Sequence, residues 1–293
     1  MVDRLDRQLV LDLYRSYATE LPDLQRFDAQ RARLGGSYHK EERRILYMVV
    51  RRAAPDLIVE FSPKRGLSTL HAALALERNG HGQILSFELG YRSARRALDH
   101  LRDNGLAHRV ELVLGDVRQE LPKALARLRP TGLEFVFIDC DHRASFAQWY
   151  TAAVLPAVRR GGLVHIHDVQ TDPLAPCPNL PLPPTTEELE VRRFLAARAS
   201  DYERLSLGDC VRDPSYLDEV RPYGGGDVSL VLEDRRHDTL HLTVQGNPSL
   251  WLLKRAEATT SDVLDVPFAP LERSPLRALE YAWRRRRIAA RQR

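Results

Sequence analysis

The stretch that decides the fold is residues 57–70, LIVEFSPKRGLSTL. Its first five residues are almost wholly apolar and carry one acid, Glu60, the pattern of a strand buried on both faces. A tight turn follows, Ser62 to Gly66, and the apolar periodicity then switches to that of a helix. A strand running through such a turn into a helix is where nucleotide-type cofactors meet an α/β sheet. A dinucleotide needs G-x-G-x-x-G there, because its pyrophosphate lies against bare backbone N–H groups. Only Gly66 is present, with Ser62, Pro63, Lys64 and Arg65 filling the rest of the turn. Close approach of a pyrophosphate is therefore disfavoured, and a cofactor with ribose and adenine but no phosphate fits better.

Working outward, residues 42–170 alternate helix and strand patterns. HKEERRILYMVVRRAAPD (39–56) reads as a helix stopped by Pro55-Asp56, and STLHAALALERNG (68–80) as a helix closed by Gly80. QILSFEL (83–89) is the next strand, RSARRALDHLRDNG (92–105) a helix, RVELVLGD (109–116) a third strand and QELPKALARLR (119–129) a short helix. LEFVFIDCD (133–141), ASFAQWYTAAVLPAVRRGG (144–162) and LVHIHDV (163–169) give strand, helix and strand. Apolar strands alternating with helices predict an α/β fold: a doubly wound, Rossmann-like sheet, mostly parallel, with helices on both faces. Beyond residue 170, a proline-rich loop (171–184) reads as a binding loop, and residues 185–200 as a helix. Segments 225–234, 239–246 and 248–255 read as antiparallel strands finishing the sheet. Domain boundaries are expected at 1–41, a helical extension covering the acceptor or an oligomer contact, 42–256, the cofactor-binding domain, and 257–293, a basic helical extension.

The bulk composition bounds the function classes. With 293 residues, 43% hydrophobic and 29% charged, the chain supports an ordinary core. Its net charge of +4 draws heavily on the terminal RRRRIAARQR, so a nucleic-acid footprint over the whole surface is not indicated. The three cysteines, Cys140, Cys177 and Cys210, show neither disulfide nor zinc spacing. No apolar run reaches the roughly 18 residues of a membrane span, and the N-terminal residues are charged rather than signal-like, so a cytoplasmic protein is expected.

The acids gather at the strand ends: Glu60, Glu88, Asp116, Asp139 with Asp141, and then His167-Asp168. Ligands of open α/β sheets bind beyond those ends, so five consecutive polar anchors mark a site that packing alone does not require. In order and spacing, LIVEFSPKRGLSTL, ILSFEL, LVLGDV, FVFIDCDH and GGLVHIHDV resemble the class I S-adenosylmethionine-dependent methyltransferases. They are most similar to the metal-assisted branch of caffeoyl-CoA and sugar O-methyltransferases, with its D-x-D-[KH] strand end. The resemblance covers residues 37–170, with a weaker echo in NPSLWLLKR as an antiparallel last strand.

That resemblance implies roles. Glu60 shapes the methionine end of a S-adenosylmethionine pocket, Ser62 and Gly66 line the loop, and Ser68 holds the methionine carboxylate. Glu88 accepts both ribose hydroxyls, and Asp116 with the Val117 backbone addresses adenine. Asp139 contacts the methionine amino group, a metal, or both. Asp139, His167 and Asp168 are the implied ligands of a divalent metal, Mg²⁺ or Mn²⁺, and His142 is the implied general base. His167 departs from the family, which has an acid or an Asp-Asn pair there, and this puts the metal in question. His165 is read as a packed core histidine and Cys140 as pointing into the core.

The expected function is methyl transfer to a hydroxyl of a small molecule of natural-product or sugar type, by a protein without membrane contact and capable of forming a homo-oligomer. Two other readings stand beside it: an RNA methyltransferase using the basic tail, and a methyltransferase-fold subunit without catalysis. Lys64 and Arg65 are not explained by the family pattern; two readings stand for them, a solvent-facing pair or one that steers an acidic acceptor.

Overall fold

A computed structural model describes residues 2–27, 38–128, 130–169, 186–226, 229–234, 237–243 and 249–258, together with residues 288 and 290. The proline-rich loop at 171–184, Cys177, Tyr281, Trp283 and most of the expected C-terminal helix lie outside the described residues.

Strands β1 (Leu57–Phe61), β2 (Gln83–Glu88), β3 (Val110–Leu114), β4 (Leu133–Ile138) and β5 (Val158–His167) pair in parallel, in the order β3-β2-β1-β4-β5. Two strands extend the sheet: β9 (Ser249–Lys254) runs antiparallel to β5, and β6 (Tyr202–Ser206) pairs antiparallel with β9 at the edge. The result is the mostly parallel Rossmann-like sheet expected, with antiparallel pairing at its far side. Strand order reverses between β1 and β4, and that switch point opens a crevice beyond the carboxyl ends of the strands.

Alternation along the strands sorts the core into two layers. Ile58, Ile84, Phe135, Phe137, Leu163, Trp251 and Leu253 face one side, where α1 (Arg7–Tyr17), α2 (Lys40–Ala53) and α3 (Leu67–Asn79) pack. Val59, Phe61, Leu85, Phe87, Val136, Val164 and Ile166 face the other. There they meet α5 (Val117–Leu128), α6 (Ala144–Ala153) and α7 (Thr186–Ala197). Helix α4 (Tyr91–Asp103) covers β3 with Ala94 and Ala97, and Ile288 is buried in that same cluster. The N-terminal helix α1 shares the first core layer directly, through Leu9, Val10, Leu13 and Tyr14.

Two expectations are corrected. The segment 144–162 is helical only to Ala153; a short 3₁₀ turn over Leu155–Ala157 leads into β5, which already includes Val158, Arg159 and Arg160. Strands β7 (Ser229–Asp234) and β8 (His237–Thr243) pair with each other in a separate hairpin instead of finishing the sheet. The place next to β9 goes to β6, whose polar YERLS gives little strand signal, and two short helices follow, α8 (Leu207–Arg212) and α9 (Pro214–Val220).

Two histidines are wholly buried in the first layer. His165 lies between Phe137 and Trp251, stacked at centroid distances of 4.8 and 4.1 Å, as a core histidine should. His71, on α3, packs edge-on to Phe27 and has Nδ1 2.8 Å from the Leu67 carbonyl oxygen. Burial pushes both imidazoles down to about 3. A folded-state pKa below the unfolded value means that the unfolded chain binds the extra proton, so stability falls as pH drops from 6.5 toward 3. We expect His71→Leu to remove one such proton. Urea unfolding between pH 6 and 4 should then show a pH slope lower by up to about 1.4 kcal/mol per pH unit than in the unaltered protein.

Candidate functional site

The β1–α3 turn is built without a glycine run. Ser62 and Lys64 adopt left-handed backbone angles (φ 65° and 53°), and Gly66 does so at 91°. At Gly66 a side chain would also be crowded: a Cβ there would sit 3.3 Å from Cα of Ala97 on α4. Bonds from Ser62 N–H to the Phe87 carbonyl (2.8 Å), Gly66 N–H to the Pro63 carbonyl (2.7 Å) and Lys64 N–H to Glu88 (3.1 Å) fix the turn.

Glu60 lies directly under this turn. Strand register pairs it with Ser86, and its carboxylate accepts from Ser86 Oγ (2.7 Å), Ser68 Oγ (2.8 Å) and Thr69 Oγ1 (2.9 and 3.0 Å). Burial pushes the Glu60 carboxyl up, and the three hydroxyls oppose the shift. The Ser68 hydroxyl proton is thus committed to Glu60. What the start of α3 offers an anion is its backbone N–H groups and dipole.

Two cavities meet above the strand ends. The larger, about 500 Å³, is bordered by Phe61, Phe87, Leu89, Asp116, Val117 and Phe146 among others. The smaller, about 310 Å³, is bordered by Tyr38, Lys64, Arg65, Ser68, Asp139 and Asp168. Ser62, Glu88, Cys140 and His142 border both. Glu88 therefore stands at the junction, its carboxylate accepting from the N–H groups of Gly90 (2.7 Å) and Lys64 (3.1 Å); burial raises its carboxyl against those bonds. Cys140, expected to point into the core, packs partly against it but also borders both cavities. Arg118, unforeseen, grips Asp116 through both carboxylate oxygens (3.0 and 2.8 Å) and borders the larger cavity.

The polar end of the smaller cavity holds a charged cluster. Asp168 follows β5 in a left-handed conformation (φ 59°), which turns its carboxylate back toward β4. Asp139, His142 and Asp168 bring one donor atom each to within 4.8 Å of one another, the one such group among the described residues that is able to hold a metal ion. Two carboxylates and an imidazole form a donor set that suits Mn²⁺ or a similar first-row ion, so the residues fit the group. His142, expected as a base, takes the third corner in place of His167. Its Nε2 lies 3.5 Å from Asp168 and its Nδ1 2.7 Å from Glu187, a bond that raises the imidazole pKa.

His167 sits beneath, fully buried. Its Nδ1 is 3.2 Å from Asp168 and 3.5 Å from Asp139, and its Nε2 is 3.5 Å from Glu42 at the start of α2. Burial opposes its charge, but the three carboxylates outweigh burial and raise it well above the usual histidine range. The three carboxylates thus favour the protonated ring, which has no lone pair for a metal, and His167 lies beneath the acids, outside the Asp139, His142 and Asp168 group. Burial also pushes Asp139 up, yet the histidines and Lys64 hold it below the usual carboxylate range.

Three contributors were not read from the sequence: Glu42, Glu187 and Arg118. Glu42 accepts from the His39 N–H (2.7 Å) as half of a capping box and from Ser249 on β9. The E-E pairs at 41–42 and 187–188 were visible, but acids in a first helical turn are ordinary and point nowhere.

Residues 59–169 match a family model described as a methyltransferase domain. No curated protein matches the sequence significantly. Among solved structures, the chain is similar to the O-methyltransferase TomG from Streptomyces achromogenes, in complex with S-adenosylmethionine and involved in tomaymycin synthesis. The identity is 22% over 82% of this chain and 89% of that one, with a TM-score of 0.51. It is also similar to an O-methyltransferase from Bacillus cereus in complex with S-adenosylhomocysteine, at 17% identity over 82% and 91% of the two chains and a TM-score of 0.50. At such identities the likeness is one of fold.

Glu60 predicts a stability effect separable from chemistry. Glu60→Leu leaves three hydroxyl donors buried without their acceptor. The unfolding free energy should fall by roughly 3 kcal/mol in urea titration, while Glu60→Gln should lose less than half of that.

Proposed function

We propose, from the premise that the chain carries a class I S-adenosylmethionine-dependent methyltransferase domain, that it moves the cofactor's methyl group to a hydroxyl of a small molecule with help from a divalent cation. The observation that carries this reading is the meeting of the two cavities at Glu88, with the Asp139, His142 and Asp168 group at one end.

In this reading adenine enters the larger cavity, between Leu89, Val117 and Phe146, with Asp116 and its partner Arg118 at the polar edge. Glu88, at the junction of the two cavities, would accept the ribose hydroxyls. The amino-acid end enters the smaller cavity beneath the start of α3, near Asp139. Since the Ser68 proton is engaged by Glu60, the cofactor carboxylate is met by Lys64 and the helix N–H groups. This gives Lys64 a role that neither the fold nor the family pattern supplied.

At the far end, Asp139, His142 and Asp168 would hold a divalent cation, which when bound supplies a Lewis acid to a coordinated hydroxyl. Asp139 borders the cavity assigned to the amino-acid end, so it would bring a bound acceptor oxygen close to the cofactor. His167 would offset the charge of Glu42, Asp139 and Asp168 from below. A natural-product type of acceptor agrees with the tomaymycin role of the Streptomyces neighbour.

Two measurements test the scheme. Lys64→Ala should weaken S-adenosylhomocysteine binding by about tenfold in isothermal titration, the loss of one charge-assisted contact. The same change should leave 5′-methylthioadenosine, which lacks the amino-acid end, bound as before; an equal loss for both would remove the assignment of Lys64. For the cation, turnover on catechol and sugar hydroxyls should fall at least about tenfold on chelation and return with Mn²⁺, and Asp168→Ala should abolish that response. Turnover indifferent to both would leave methyl transfer standing and strike out the metal.

A further inference from the structure

Glu187 is the first-turn residue of α7, reached by the chain only after it has left the site at Val169, yet it returns to the site. It is 2% exposed and borders neither cavity. Its two carboxylate oxygens are both engaged: Oε1 accepts from the Tyr150 hydroxyl at 2.9 Å, and Oε2 lies 2.7 Å from Nδ1 of His142. The backbones are tied as well, since the Glu187 N–H donates to the His142 carbonyl at 3.2 Å and the Thr186 hydroxyl accepts from the Ala144 N–H at 3.0 Å. A carboxylate that already accepts from Tyr150 accepts from His142 too, so Nδ1 carries the hydrogen. The ring is then held with Nε2 facing Asp168, 3.5 Å away, where the donor atoms of Asp139 and Asp168 converge.

We infer that Glu187 is the positioning residue of this site: it fixes the tautomer and ring orientation of His142 so that the Nε2 lone pair is delivered to the Asp139–Asp168 corner. The inference rests on the reading of that corner as the reacting end of the pocket, but its geometry is a property of the protein alone. A free neutral imidazole carries its proton mainly on Nε2, the arrangement that would point N–H, not a lone pair, at the corner. Glu187 reverses that preference. An imidazole whose far nitrogen is held by a carboxylate is also the arrangement in which histidine binds metals best, the carboxylate raising its basicity and stopping its rotation. Tyr150 and Thr186 have a separate task, anchoring α7 to α6.

The test uses the full chain labelled with ¹⁵N-histidine and three substitutions, Glu187→Ala, Glu187→Gln and Tyr150→Phe. In long-range ¹H–¹⁵N spectra at a pH where His142 is neutral, the unaltered protein should show the Nδ1–H form. Glu187→Ala should move His142 to the Nε2–H form. Glu187→Gln, whose amide oxygen still accepts from Nδ1–H, should keep the original tautomer, as should Tyr150→Phe. Mn²⁺ affinity, read by electron paramagnetic resonance, should drop about 10- to 100-fold in Glu187→Ala. It should recover most of that loss in Glu187→Gln and stay within twofold in Tyr150→Phe. S-adenosylhomocysteine binding, which Glu187 does not touch, should persist in all three and reports the fold. An Nε2–H tautomer in the unaltered protein, or a tautomer unmoved in a folded Glu187→Ala, overturns the inference. Should Mn²⁺ bind nowhere while the tautomer shifts as described, the metal reading fails and the positioning role of Glu187 stands.

Discussion

A buried imidazole under three carboxylates is the interaction on which the rest of the site depends. His167 reaches Glu42 on one side and Asp139 and Asp168 on the other, so one charged ring ties the start of α2 to the ends of β4 and β5. Without that cation, the carboxylates would repel each other in a poorly solvated corner and their separation would be set by avoidance. With it, like charges sit side by side at distances suited to a shared ligand. Glu42 extends the tie to β9 through Ser249, so the antiparallel strand next to β5 is joined to the same cluster.

Part of this was legible in the sequence because apolar strands that end in polar residues mark the binding edge of a parallel sheet, which picked out Glu60, Asp139 and His167. Alternation along β5 puts His165 and His167 on one face. His165 followed by the same parity, one strand step deeper, where it stacks between Phe137 and Trp251. The turn after β1 was legible for a related reason: a missing glycine run excludes phosphate contact whatever the turn's detailed shape.

What could not be read was set by contacts across the chain. Glu42 and Glu187 sit 125 residues before and 20 residues after His167, at helix starts where an acid needs no special reason. That His142 joins Asp139 and Asp168 while His167 lies beneath them is a matter of loop path after β4 and not of spacing. Likewise β7 and β8 read as strands, but a strand pattern does not name a partner, and they pair with each other. The edge place went to β6, whose Glu203 and Arg204 make it a poor strand by pattern.

The backbone of the β1–α3 turn carries one more implication. Ser62 and Lys64 occupy angles that glycine would accept freely and that cost an ordinary residue about 1 kcal/mol or more each. A glycine at both positions would make the loop easier to form and would leave the cavity wall bare. The protein instead tolerates a strained loop in exchange for a hydroxyl and an ammonium at the mouth of the smaller cavity. Changes that relax this loop and changes that keep a hydroxyl and an ammonium beside the cavity therefore pull in opposite directions, and under the proposed role of Lys64 a more thermostable variant found by randomising residues 62–66 is a weaker binder.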